Sequence, residues 1–125
     1  MSTPDTGDTR PRGLRSAAAA ATAWAETVQH QQLATPRHAD FYAVAGEMVA
    51  TLYALDDLTV VLAAQVGAYG EGRAVYDDTR TVDPTTRLAE AVQRLRGMRA
   101  ALGPAATEAN AFWSEIGHIG VEDTP

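Results

Sequence analysis

The sequence predicts an all-α protein, an up-and-down four-helix bundle with one long central helix and a disordered N-terminal tail. Apolar residues recur at steps of three, four and seven along most of the chain, which is the helical period. Alanine, which has the highest helix propensity, dominates an apolar fraction of 46 %. No pair of alternating segments is joined by a hairpin turn. At 125 residues the chain fits one domain, which we place at residues 13–120.

The first twelve residues are rich in Thr, Pro, Asp and Arg and show no apolar period, so we expect a disordered tail. A first helix then starts near Leu14. It should end before Thr35-Pro36, because the residue preceding a proline is disfavoured in α geometry. Its apolar face consists of Leu14, Ala18, Ala21, Ala25 and Val28.

The long central helix is predicted at about residues 38–69, a length of roughly 45 Å at 1.5 Å per residue. A seven-residue apolar repeat runs along it, and such a repeat is typical of a helix packed nearly parallel or antiparallel to its partners. This first stripe consists of Phe41, Met48, Leu55, Leu62 and Tyr69. A neighbouring stripe consists of Ala45, Leu52, Thr59 and Val66.

Two further helices follow a loop over residues 71–82. Asp83-Pro84 predicts a helix start, because aspartate caps free amides and proline is tolerated at the first helical position. Gly103-Pro104 predicts the end of this third helix and the immediate start of a fourth, which Gly117 and Gly120 close. The resulting four helices define the predicted bundle.

Charge and cysteine content exclude several classes of function. The net charge is −6, which disfavours nucleic-acid binding and docking on anionic membranes. Without cysteine there is no disulfide, thiolate metal site or thiol nucleophile. All ten basic residues are arginine, as is typical of GC-rich actinobacterial genomes. The N-terminus lacks the pattern of a secretion signal, and Ala17–Ala25 is too short to span a bilayer. We therefore expect a bacterial cytoplasmic protein that has no membrane partner.

The candidate metal ligands are Glu26 and His30, which lie four residues apart and share one helical face. Metal-binding bundles use Glu-x-x-His motifs on two helices together with further glutamates, and a single pair does not meet this need. Asp56 is expected to border a helix interface and to meet an arginine. Ser114 and His118 are also four apart, but no orienting acid for a triad is apparent. We therefore assign no catalytic residue, metal or cofactor.

A local positive excess marks the third helix, with the nucleic-acid candidates Arg87, Arg94, Arg96 and Arg99. Arginines on one helix could reach phosphates or guanine edges. Glu90 and Arg94 instead have the spacing of an ordinary surface ion pair. DNA binding is therefore kept as an alternative function.

Two interpretations of Phe112-Trp113 are open. In one, Phe112 packs in the core and Trp113 closes the end of the bundle; in the other, the pair belongs to a docking surface. The function we predict is that of an interaction or oligomerisation module, a homodimer or a protein that binds another protein. Its interface residues are Phe41, Met48, Leu55, Leu62, Tyr69, Phe112 and Trp113. A metal-binding enzyme is the second alternative, and catalysis is the less favoured interpretation.

Overall fold

A computed structural model describes residues 7–122, and within them the protein is all-helical with three α-helices and no strand. The helices are α1 (Arg12–Leu33), α2 (His38–Ala68) and α3 (Pro84–Gly117). The chain divides into two compact units, one ending at Pro36 and the other beginning at Arg37. The first unit contains α1, and the second contains α2 and α3. The predicted single domain over residues 13–120 stays a prediction.

Helix α1 ends at Leu33, two residues before the Thr35-Pro36 pair that was predicted to stop it. None of its residues is buried. Of the predicted tail over residues 1–12, residues 1–6 lie outside the described residues. Arg12 already belongs to α1, and the carboxylate of Asp8 accepts hydrogen bonds from the backbone and side chain of Arg10, both at 3.0 Å.

Helices α2 and α3 pack against each other as an antiparallel hairpin. Its open end brings the start of α2 to the end of α3, where a Cβ at Gly117 would lie 3.0 Å from the Tyr42 ring. At the loop end, a Cβ at Gly67 would lie 3.7 Å from Val92. Residue numbers rise along α2 in the direction in which they fall along α3. The numbers of two residues that face each other therefore add up to about 160.

Helix α3 is one continuous helix, so the predicted break at Gly103-Pro104 is wrong. Proline inside a helix leaves one carbonyl unbonded and costs about 3 kcal/mol, but Gly103 and Pro104 both lie on the exposed side. The inward-facing residues keep steps of three, four and seven on both sides of the proline: Leu95, Leu102, Ala106, Ala109 and Trp113. Packing of this uninterrupted face against α2 outweighs the local penalty. The described residues therefore hold three helices, where the bundle prediction has four.

Small side chains dominate the core between α2 and α3. The buried residues are Ala45, Val49 and Thr59 on α2 and Leu102, Ala106 and Ala109 on α3. The hydroxyl of Thr59 donates to the carbonyl of Asp56 at 2.6 Å, so its burial leaves no unpaired donor. On α2 the inner face therefore follows the second predicted stripe, with Ala45 and Thr59. The first stripe, from Phe41 to Tyr69, lies along one flank of the core.

The connection between α2 and α3 is held to the first turn of α3 by the buried carboxylate of Asp77. That carboxylate accepts hydrogen bonds from the hydroxyl of Thr79, from the Arg87 guanidinium (Nε to Oδ1, 2.7 Å) and from the Thr81 amide at 3.3 Å. The Thr79 hydroxyl and the Arg87 cation together hold the pKa of Asp77 well below its usual range. This network fixes where α3 begins.

Candidate interaction surface

One side of the hairpin carries a continuous apolar strip. We call it the g strip, because its residues occupy the g position of a seven-residue repeat abcdefg whose a position faces the other helix. Each of its residues immediately precedes an inward-facing residue, as Met48 precedes Val49 and Phe112 precedes Trp113. In an antiparallel helix pair, positions related in this way on the two helices lie on the same side. The g strip consists of Phe41, Met48, Leu55, Leu62 and Tyr69 on α2 and of Ala91, Met98, Ala105 and Phe112 on α3.

The g strip is exposed towards both ends and contains no charged residue. The exposed fractions of its large side chains range from 36 % for Phe41 to 53 % for Tyr69, with Met98 at 44 % and Phe112 at 45 %. Leu55 and Leu62, near the middle, are half-buried. Scattered apolar side chains are normal on a protein surface, whereas a row of apolar side chains of this length makes the g strip a candidate binding surface.

The opposite side of the hairpin differs in character. The corresponding residues there include Gly46, Tyr53, Arg96 and Asn110. The Asn110 amide donates to the Tyr53 hydroxyl at 3.0 Å, a polar link between α2 and α3. This side therefore mixes glycines and polar groups with the exposed side chains of Tyr53 and Val60, whereas every residue of the g strip is uncharged and apolar.

Trp113 is the one predicted interface residue that lies off the g strip. It is half-buried between the helices, with its ring centroid 5.7 Å from that of Tyr42. Its Nε1 atom is buried and donates to no group within residues 7–122. Phe112, by contrast, is exposed on the g strip. Each of the two interpretations therefore applies to one residue of the pair. Trp113 closes the open end of the hairpin, and Phe112 belongs to the candidate surface.

A charged rim borders the g strip on α3. Its five residues lie seven apart, so they form one row along the helix: Arg87, Arg94, Ala101, Glu108 and Glu115. The row is positive near the loop, neutral at its centre and negative near the open end. The sequence pattern of arginines drew attention to its basic half alone. Its acidic half joins the same row only because α3 is continuous through Pro104. The predicted helix break had assigned the two halves to different helices.

The arginines that made α3 a nucleic-acid candidate do not share one surface. Arg87 bonds Asp77, and Arg99 donates to Asp56 (Nε to Oδ1, 3.3 Å), which confirms the expectation that Asp56 meets an arginine at a helix interface. Arg94 and Arg96 are two residues apart, so they project about 200° apart around the helix. Within residues 7–122, Glu90 and Arg94 form no ion pair.

The candidate metal ligands Glu26 and His30 lie one turn apart on α1. Among the residues that the structure describes, no group of three or more His, Asp or Glu is arranged to hold a metal ion. The pair therefore has the geometry of a surface Glu–His pair on one helix.

A cleft of about 640 Å³ lies at the open end of the hairpin. It brings together His38 and His118, which are far apart in sequence, with Ser114 and Trp113. A nucleophilic triad needs an orienting acid, and no carboxylate among residues 7–122 lines this cleft. The sequence signal that could have found it is the position of His38 and His118 at the two ends that an antiparallel hairpin joins.

Helix α2 is long and apolar enough to cross a membrane by length and composition; its most apolar stretch has a mean hydropathy of 1.4 and is 11 % buried. Asp56 and Asp57 lie near the middle of this helix, where a bilayer would disfavour each carboxylate by about 2.5–3.5 kcal/mol. Helix α2 therefore meets the length and composition test as an apolar helix of which one side is exposed.

The chain matches no family model, no curated protein and no solved structure.

Proposed function

We propose that this protein is a helical interaction module that binds a protein partner through the g strip. The observation that carries the proposal is the continuity of this strip: nine uncharged side chains on two helices, over a core of six buried residues, half of them alanine. A pair of helices with so small a core gains little stability from its own packing. A partner that covers the strip would supply the missing apolar burial.

The energetics support binding at this surface. Burying a large apolar side chain contributes about 1.5–3 kcal/mol, and the five most exposed large residues of the strip are already about half covered. Completing their burial would contribute on the order of 5 kcal/mol before the entropic cost of association. This burial favours association when the two surfaces are complementary in shape.

Partner binding would also give the hairpin a bundle architecture. A second helical hairpin placed on the g strip would complete a four-helix bundle, with two helices from each side. This bundle differs from the predicted one, in which all four helices belong to one chain. A protein partner is favoured over a lipid bilayer because Asp56, Asp57 and the charged rim of α3 lie within the same hairpin.

The test is site-specific photo-crosslinking in cells that produce the full chain. A photoreactive residue replaces Met98 or Phe112 on the g strip, and the matched controls carry it at the neighbouring exposed positions Gly97 and Ala111. We expect adducts of discrete mass at Met98 and Phe112 and none at the two controls. Equal adduct formation at all four positions, or none at the strip positions, would contradict the proposed function.

A further inference from the structure

We infer that the occupant of the g strip is a second copy of this chain, packed so that α3 lies antiparallel on α3 and α2 lies antiparallel on α2. The inference rests on the proposed function and names its partner. A two-fold axis perpendicular to the helices, passing level with Ala101, generates this arrangement. Three features of the described residues support it: side-chain size, the register of the two helices, and charge.

Side-chain size alternates along α3 in a way that is complementary to itself. The strip residues of α3 are, in order, small, large, small and large: Ala91, Met98, Ala105 and Phe112. In the antiparallel arrangement, Ala91 faces Phe112 of the second copy and Met98 faces Ala105. On α3 each large strip side chain thus meets an alanine, which is the interdigitation that dense packing requires.

The same axis gives a matching register on α2. Because facing residues of α2 and α3 sum to about 160, the level of Ala101 on α3 corresponds to Leu58–Thr59 on α2. About that level, Leu55 faces Leu62 of the second copy, and Met48 faces Tyr69. Leu58, which is 43 % exposed, then lies beside the axis itself. One two-fold axis therefore pairs strip residues with strip residues on both helices, although the two halves of the strip lie in separate parts of the sequence.

Charge complementarity selects the antiparallel direction. Around Ala101, the charged rim places Arg94 opposite Glu108 of the second copy and Arg87 opposite Glu115. Each pair occurs twice by symmetry, so four ion pairs border the interface. Of the two basic residues, Arg94 forms no ion pair within residues 7–122, whereas Arg87 already bonds Asp77. A parallel arrangement of α3 on α3 would instead place like charges side by side.

The area is sufficient for a specific dimer. From Met48 to Tyr69 the strip is about 30 Å long, and two helices side by side are about 20 Å wide. Such a surface buries about 600 Å² on each copy, or about 1,200 Å² in total, which is the lower end of stable specific interfaces.

The first test is a charge exchange in the full-length purified chain, with association measured by sedimentation velocity in buffer without detergent. Arg94→Glu and Glu108→Arg should each raise the dimer Kd by about tenfold, because symmetry places the altered pair in the interface twice. The double variant should return to the wild-type Kd. Arg96→Glu is the matched control: it makes the same charge change as Arg94→Glu on the opposite side of the hairpin, about 200° around α3 from Arg94, and is expected to leave the Kd unchanged.

The second test uses disulfide formation, which is clean because the chain has no cysteine. Ala101→Cys should form a disulfide-linked dimer on mild oxidation, since the two copies of this residue meet beside the axis. Ala100→Cys, at the same level but about 100° around the helix, is the control and should stay reduced.

A folded chain that is monomeric at micromolar concentration would overturn the inference. So would a dimer in which the double charge variant is not restored, or one in which Ala100→Cys links as readily as Ala101→Cys. Co-sedimentation with neutral phosphatidylcholine vesicles that Met98→Glu abolishes would assign the strip to lipid and also overturn it. The proposed function and this inference can be distinguished. Photo-crosslinks at Met98 to a different protein would support the proposed function and contradict the inference that the partner is a second copy of this chain.

Discussion

The indole ring of Trp113 in α3 packs directly over Gly46 in α2, so closely that a Cβ at Gly46 would lie 3.2 Å from Cζ2 of the ring. A Cβ at this position would require the ring to shift by a few tenths of an ångström, because 3.2 Å is shorter than an ordinary van der Waals contact. Tyr42 lies against the other side of the same region, with its ring near Gly117. The open end of the hairpin thus depends on aromatic rings seated on glycines.

Gly46→Ala is expected to lower the free energy of unfolding. Alanine gains about 1 kcal/mol of helix propensity over glycine, but overpacking against the Trp113 ring costs about 1–3 kcal/mol. The matched control is Gly97→Ala, where a Cβ meets nothing within 4 Å. That variant should be stabilised by about 0.5–1 kcal/mol. Chemical denaturation at equal protein concentration compares the two, and equal stabilisation of both would contradict close packing at Gly46.

Pro104→Ala is expected to raise the free energy of unfolding by up to about 3 kcal/mol without changing helix content. The substitution restores one backbone hydrogen bond in the exposed face of α3 and leaves the inward-facing residues unaltered. Circular dichroism and chemical denaturation check both parts. If α3 were two helices meeting at Gly103-Pro104, alanine would extend the helix and helix content would rise, which is the result that would contradict the continuous helix.

Asp77→Asn is expected to change how stability depends on pH. The folded state holds the pKa of Asp77 well below its usual value, so the ionised carboxylate stabilises the fold above pH about 4. This stabilisation is lost as the pH falls from that value towards the lowered folded-state pKa. The variant should therefore be less stable than wild type at neutral pH. The difference should shrink below pH about 4. Thermal unfolding over this pH series measures it, and a constant difference would show that the charge of Asp77 does not contribute.

Asp56→Asn is expected to cost less than about 1 kcal/mol, although Asp56 faces Arg99 between the two helices. The side chain of Arg99 is 58 % exposed, so water screens the ion pair and its net contribution is small. Double-mutant analysis with Arg99→Ala measures the coupling. A coupling well above this limit would show that the pair is held more tightly than its exposure indicates.

The sequence by itself determined the local structure. Helical period and proline position predicted the bounds of α1 and α2 and the start of α3 at Asp83-Pro84 to within about two residues. They also identified the stripe from Phe41 to Tyr69 as one candidate surface. These features depend on backbone geometry and on side chains three to seven residues apart, which one sequence displays directly.

Only the tertiary structure decided which stripe is the core, where Trp113 lies and whether Pro104 ends a helix. The two stripes of α2 are both apolar, and the difference between them is set by α3, whose small residues at Ala106 and Ala109 allow close approach. Pro104 is tolerated because it faces outward while its neighbours pack against α2. Each of these outcomes depends on contacts between residues more than forty positions apart, and a helical period carries no information about what lies opposite it.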